Sequence, residues 1–172
     1  MTQETTPQRW SFDPPGREER RRAWRDIAAR SLSAYLDAVI TALAAEGFTC
    51  RQVRIGSGNE LHARVSLIPT DPSLPGLPKT ITLCWSECTG WSMTHSLLRS
   101  SPSRWRYLHS RLVPSPAAVA GFVALVLDVE DIAMLYPAQF RHHSQPLAPL
   151  IDALAEHATP ALPATGPTQQ PH

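Results

Sequence analysis

The stretch Ile81 to Leu97, Ile-Thr-Leu-Cys-Trp-Ser-Glu-Cys-Thr-Gly-Trp-Ser-Met-Thr-His-Ser-Leu, constrains this chain more than any other. Ile81, Leu83 and Trp85 alternate with Thr80, Thr82 and Cys84, the period of two that marks a strand with one buried face. Beyond Glu87-Cys88-Thr89-Gly90 the alternation resumes at Trp91, Met93, His95 and Leu97. Gly90 can take a positive φ, which a tight reversal with a bulge demands. The stretch therefore predicts a β-hairpin with a tryptophan on each side of its turn. Two such side chains bury roughly 150–250 Å² apiece, so the rest of the chain must be arranged to cover them.

The segments before the hairpin supply part of that cover. Residues 1–16 are polar and end in Pro14-Pro15-Gly16, which reads as a disordered arm. A first helix is expected from about Arg17 to Glu46. Leu32, Tyr35, Leu36, Val39, Ile40 and Leu43 form its apolar stripe, and Gly47 ends it. Its front, Arg17-Glu18-Glu19-Arg20-Arg21-Arg22, is charged all round. Trp24 and Ile27 continue the apolar stripe into that front, so the helix is expected to outrun the core. Phe48 to Ile55 reads as a strand, Gly56-Ser57-Gly58-Asn59 as a turn, and Glu60 to Ile68 as a second strand. Leu61, Ala63, Val65 and Leu67 of that strand should face inward, with His62, Arg64 and Ser66 outward. The proline-rich residues 69–78 cannot form a ladder and predict a loop.

After the hairpin, residues 99–104 read as a loop and Trp105 to Leu112 as a short fifth strand. Ser115-Pro116 is a helix start, with serine at the cap and proline at the first helical position. That second helix should run to about Leu127 and bury Val119, Phe122, Val123 and Val126. Residues 132–145 fit neither period, and Pro146 to His157 predicts a short helix. The expected organisation is an arm (1–16), one α+β domain (17–128), a helical extension (129–157) and a disordered tail (158–172). The fold class is α+β: two layers, with an antiparallel four- to five-stranded meander sheet and helices packed on one face.

Charge is unevenly spread. Residues 9–111 carry a net +6 and residues 112–172 a net −4, with Arg141 the single basic group of the latter. Fifteen arginines stand against one lysine, which reads first as the codon usage of a genome rich in G and C. Arg17 to Arg30 is one basic group. Arg99, Arg104, Arg106 and Arg111 around Trp105 and Tyr107 are the other. Basic residues interleaved with aromatics can hold a nucleic-acid backbone and stack its bases. The near-neutral total of +1 argues for solvated faces instead.

Metal and catalytic patterns are thin. Cys84 and Cys88, with His62 and His95 on neighbouring strands, come nearest to a zinc set. Zinc sites use closer cysteine pairs and a second pair downstream, so no metal is expected. His142-His143 has no acid or thiol at a defined spacing, and Asp128, Glu130 and Asp131 lack the glycine-centred loop of a calcium hand. There is no glycine-rich phosphate loop, no G-x-S-x-G and no H-E-x-x-H. The expectation is a chain without catalysis and without a cofactor.

The N-terminus is polar and lacks an apolar signal region, and no run of 18 apolar residues occurs. A cytoplasmic protein with reduced thiols and no membrane contact is therefore expected.

Three groups of residues carry a resemblance: Tyr35-Leu36-x-Ala38-Val39, Leu83-x-Trp85-x-Glu87-x-x-Gly90-Trp91-Ser92, and Leu112-Val113-Pro114-x-Pro116-x-x-Val119-Ala120-x-Phe122-Val123. Over about residues 32–128 the chain resembles a family of small actinobacterial domains of unknown function. The resemblance implies a first helix, a meander and a proline-capped second helix in a bacterial cytoplasm, and implies no activity. The loop at 69–78 and the extension 129–172 depart from that pattern.

The function expected is that of a non-catalytic interaction or regulatory module, binding another protein or a second copy. Arg20, Trp24, Ile27, His62, Arg64, Trp105 and Arg106 are its candidate contact residues. A nucleic-acid-associated accessory protein using the first helix and the Arg99–Arg111 segment is the alternative.

Overall fold

The computed structural model describes residues 16–71, 78–96, 105–129 and 136–158. The expected arm up to Pro15, most of the 69–78 loop, the 99–104 loop, residues 132–135 and the tail from Thr159 lie outside the described residues. The elements in order are α1 (Arg17–Ala45), β1 (Phe48–Ser57), β2 (Leu61–Pro69), β3 (Thr80–Ser86), β4 (Gly90–Ser96), β5 (Arg106–Tyr107), α2 (Pro116–Asp128) and α3 (Ala148–Ala158). The five strands form one sheet in sequence order, every neighbouring pair antiparallel. The α+β meander is therefore the fold. Helix α1 lies against β1 and β2, and α2 and α3 pack against α1.

The hairpin holds the core. Trp85 and Trp91 face each other across the β3–β4 ladder and are fully buried. Gly90 turns the chain at φ 71°, and a side chain there would crowd the ring of Phe140 at 3.1 Å. Each tryptophan finds a partner for its N–H, as buried aromatics with a polar edge require. Trp85 Nε1 donates to the carbonyl of Leu112 at 2.8 Å. Trp91 Nε1 donates to the Tyr35 hydroxyl at 3.1 Å, and that hydroxyl donates to the carbonyl of Pro114 at 2.8 Å. Burial pushes the Tyr35 phenol well above its ordinary pKa.

Those two carbonyls explain why β5 is shorter than the expected Trp105–Leu112. The ladder ends just after Tyr107, where the Leu108 amide donates to the Trp91 carbonyl. The chain then leaves the sheet, and the carbonyls of Leu112 and Pro114 close over the aromatic pair.

The helices follow their sequence signals. Gly47, at φ 85°, ends α1. Ser115 Oγ accepts from the Ala118 amide and opens α2, whose Val119, Phe122, Val123 and Val126 are buried. By length and mean hydropathy α1 could cross a membrane. Its stripe of Leu32, Tyr35, Leu36, Val39 and Leu43 is instead buried inside the protein. In α3, Leu150 and Leu154 join the same core, so the segment after residue 129 also covers α1.

Candidate functional site

The front of α1 is where the chain stops serving its core. Burial begins at Ala28; from Arg17 to Trp24 every side chain is exposed. Glu18 pairs with Arg22 one turn on, at 3.3 Å and in full solvent, which adds little stability. Trp24 is 47% exposed and Ile27 37%, and both lie in line with Arg20 along one face of the helix.

Arg25 is the exception on this front, with its side chain only 16% exposed. Its Nη2 donates to the Asn59 carbonyl at 2.7 Å and lies 3.8 Å from Glu87 Oε1. Glu87 sits in the hairpin turn and is completely buried. Its Oε1 accepts from the Leu61 amide at 3.1 Å, and its Oε2 accepts from Arg141 Nη1 at 2.5 Å. Arg141 is nearly as buried, and its Nη2 donates onward to the Gln145 carbonyl at 2.6 Å. The amide of Phe140 donates to the Cys88 carbonyl beside the pair. One carboxylate thus ties together the helix front, the β1–β2 turn, the hairpin and the segment leading to α3. A charge taken so fully out of water persists only when paired and hydrogen-bonded, as here.

Two clefts open above this knot. One, of about 840 Å³, lies between Arg17, Glu18, Arg21, Arg22 and Arg25 on α1, the turn Ser57–Glu60, and His143-Ser144, so that four arginines face two carboxylates. The other, of about 350 Å³, runs from Arg21, Trp24 and Arg25 to residues 143–148. His143 lines both, its ring 4.1 Å from that of His142. Arginine supplies most of the charge at this end of the molecule. Such a site can hold carboxylates or phosphates through charge and planar donors, with an indole beside them for apolar contact.

The other expected contact residues lie elsewhere. His62 and Arg64 are exposed on the sheet face away from α1, where Arg64 joins Gln52, Arg54, Ser66 and Thr82 around a hollow of about 140 Å³. Trp105 is half-buried just before β5. Arg106 departs from the surface role expected of it. It pairs with Met93, whose side chain faces the core, and is 8% exposed on that inner face. Its strand register, not its charge, decides this.

The four residues weighed as a zinc set are not brought together. His95 pairs with Ile81 on the inner face, whereas Cys84 pairs with Arg64 on the outer one. Among the described residues no three of His, Cys, Asp and Glu cluster as a metal site would require. Burial raises the thiol pKa of both Cys84 and Cys88, which disfavours the thiolate.

The residues that sequence reasoning missed are Glu87 as a buried anchor and Arg141 as its counter-charge. The available signal was Arg141 itself, a lone basic residue in an otherwise acidic stretch of the chain.

No curated protein and no solved structure matches this chain. A family model described as a family of unknown function, DUF6292, matches residues 35–125, which is more than half of the chain and takes in the tryptophan hairpin and most of α2. The chain belongs to that family.

Proposed function

We propose that this protein is a non-catalytic interaction module, and that its partner is a protein presenting acidic groups to the front of α1. One observation carries the reading: Trp24 stays half-exposed on a helix whose rear buries an apolar stripe in the core, with arginines on either side of it and an open cleft below. Leaving an indole in water costs free energy, whereas burying one at an interface supplies much of the energy of a contact. Ile27 extends the apolar patch by one turn, and Arg20 and Arg21 border it. The setting this reading assumes is an actinobacterial cytoplasm, which the excess of arginine over lysine supports.

The test pairs Trp24→Ala with the wild-type chain. Melting should change by no more than a degree or two. Capture of a specific partner from lysate of the native cell should fall at least tenfold. A large drop in melting temperature with capture intact would end the reading and leave Trp24 as a docking residue for residues 143–148 of its own chain. Nucleic acid in the captured material, with binding to a labelled single strand lost on Arg20→Glu and Arg21→Glu, would favour the nucleic-acid alternative.

A further inference from the structure

The two edges of the sheet differ in kind. β5 offers two residues, whereas β1 offers ten, and among the described residues nothing pairs with its outer side. A row of open amides and carbonyls on a long edge is a template for another strand, and proteins usually blunt it.

The exposed part of β1 begins beyond Cys50. A bulge between Cys50 and Gln52 breaks the β1–β2 register, and from Gln52 to Ser57 the pairing runs unbroken. Val53 and Ile55 pair with Val65 and Ala63, so they lie on the core-facing side. They are nevertheless 38% and 37% exposed, while those partners are buried. Between Gly47 and Asn59 the chain carries Arg51 and Arg54 and no acidic residue. The strand then runs into Ser57–Glu60, one wall of the arginine-lined cleft.

We infer that the β1 edge takes up an extended acidic segment of the partner protein as a sixth strand, with the end of that segment reaching the cleft at the front of α1. This rests on the interaction-module reading and adds its mode of recognition. Main-chain hydrogen bonds to Gln52–Ser57, a length of about 20 Å, hold the segment in register. Apolar residues at alternate positions of the segment cover Val53 and Ile55. Acidic residues meet Arg51 and Arg54 and then the arginines of α1. A second copy of this chain is the wrong occupant: pairing β1 with itself would gather four arginines in one ribbon with no acid to offset them, and like charges facing each other across strands destabilise.

The test titrates the ¹⁵N-labelled full chain with a capped ten-residue peptide alternating Glu and Val. Its counterpart alternates Lys and Val. The acidic peptide should shift the amide signals of Gln52–Ser57 and slow their exchange, and the basic one should not. Arg51→Glu with Arg54→Glu, both on the surface, should weaken the acidic peptide at least tenfold. Raising the salt from 50 to 300 mM should weaken it as well.

Val53→Pro and Arg54→Pro sharpen the result, because adjacent amides of a strand point to opposite sides. One substitution breaks the β1–β2 ladder and lowers the melting temperature. The other removes only an edge donor, keeps the melting temperature and should lose the peptide.

Equal shifts with both peptides, shifts confined to α1, or unchanged affinity in the charge-reversed variant would overturn strand addition. So would concentration-dependent dimers that vanish in the charge-reversed variant. Loss of partner capture in Trp24→Ala beside wild-type capture in the β1 variants would reject strand addition and leave the interaction reading standing. The opposite pattern would move the contact from α1 to β1.

Discussion

The β3–β4 hairpin and strand β1 belong to one sheet yet are finished differently. In the hairpin each indole N–H is matched by a carbonyl or a hydroxyl, and the turn carboxylate by two arginines. In β1 beyond Cys50 almost every side chain is in solvent, and two apolar ones have strand partners but little cover. The first region consumes its own binding capacity to build the core. The second keeps that capacity. Both follow from position: the hairpin strands lie inside the sheet, with Tyr35 of α1 and the 112–114 segment closing over their tryptophans, and β1 lies at its margin.

The contrast can be broken at several strengths. Trp91→Ala should cost about 3–5 kcal/mol in chemical denaturation, because it opens a cavity and strands the Tyr35 hydroxyl. Near-wild-type stability would mean the hairpin is not the closed region described. Glu87→Ala should cost about 3 kcal/mol or more, since it leaves the Arg141 guanidinium buried without its counter-charge. A double variant with Arg141→Met should recover part of that loss, and a failure to recover would show that the pair does not act as a unit. Tyr35→Phe should cost about 1–3 kcal/mol, because the Trp91 N–H and the Pro114 carbonyl each lose a partner in a dry site. At the weak end, Arg54→Ser on β1 should stay within about 0.5 kcal/mol of wild type by thermal melting, as surface substitutions do. A loss comparable with that of Tyr35→Phe would show that β1 is held as tightly as the hairpin.

The same contrast explains what could be read from the residues alone. The alternation of Ile81, Leu83 and Trp85, the stripe of α1 and the Ser115-Pro116 cap are local signals, each contained within a dozen or so residues. Their structures follow. Glu87 and Arg141 are 54 residues apart, and nothing local to either names the other. Arg106 depended on a register that two ladder residues set, in a stretch where Trp105, Tyr107 and Leu108 permit either face. The exposure of Val53 and Ile55 was equally hidden, because a strand pattern shows which side is apolar and not whether a helix reaches far enough to cover it. At the candidate site, Trp24 and Ile27 were legible as a stripe that continues past the core. The cleft beside them was not, since residues 143–148 form its far wall.

The Arg141–Glu87 pair bears on how this molecule can be dissected. The matched region ends at residue 125, and a boundary drawn just after α2 would look natural. A fragment cut there would lose Arg141 and, with it, the shorter of the two ion pairs to a carboxylate that has no access to water. It would also uncover the side of α1 where Leu150 and Leu154 pack. Such a fragment should stick to itself and invite proteases, whatever the integrity of its sheet. The smallest piece expected to stand alone therefore extends through α3, whose segment looks like an appendage in the sequence but packs on α1 and supplies the buried Arg141.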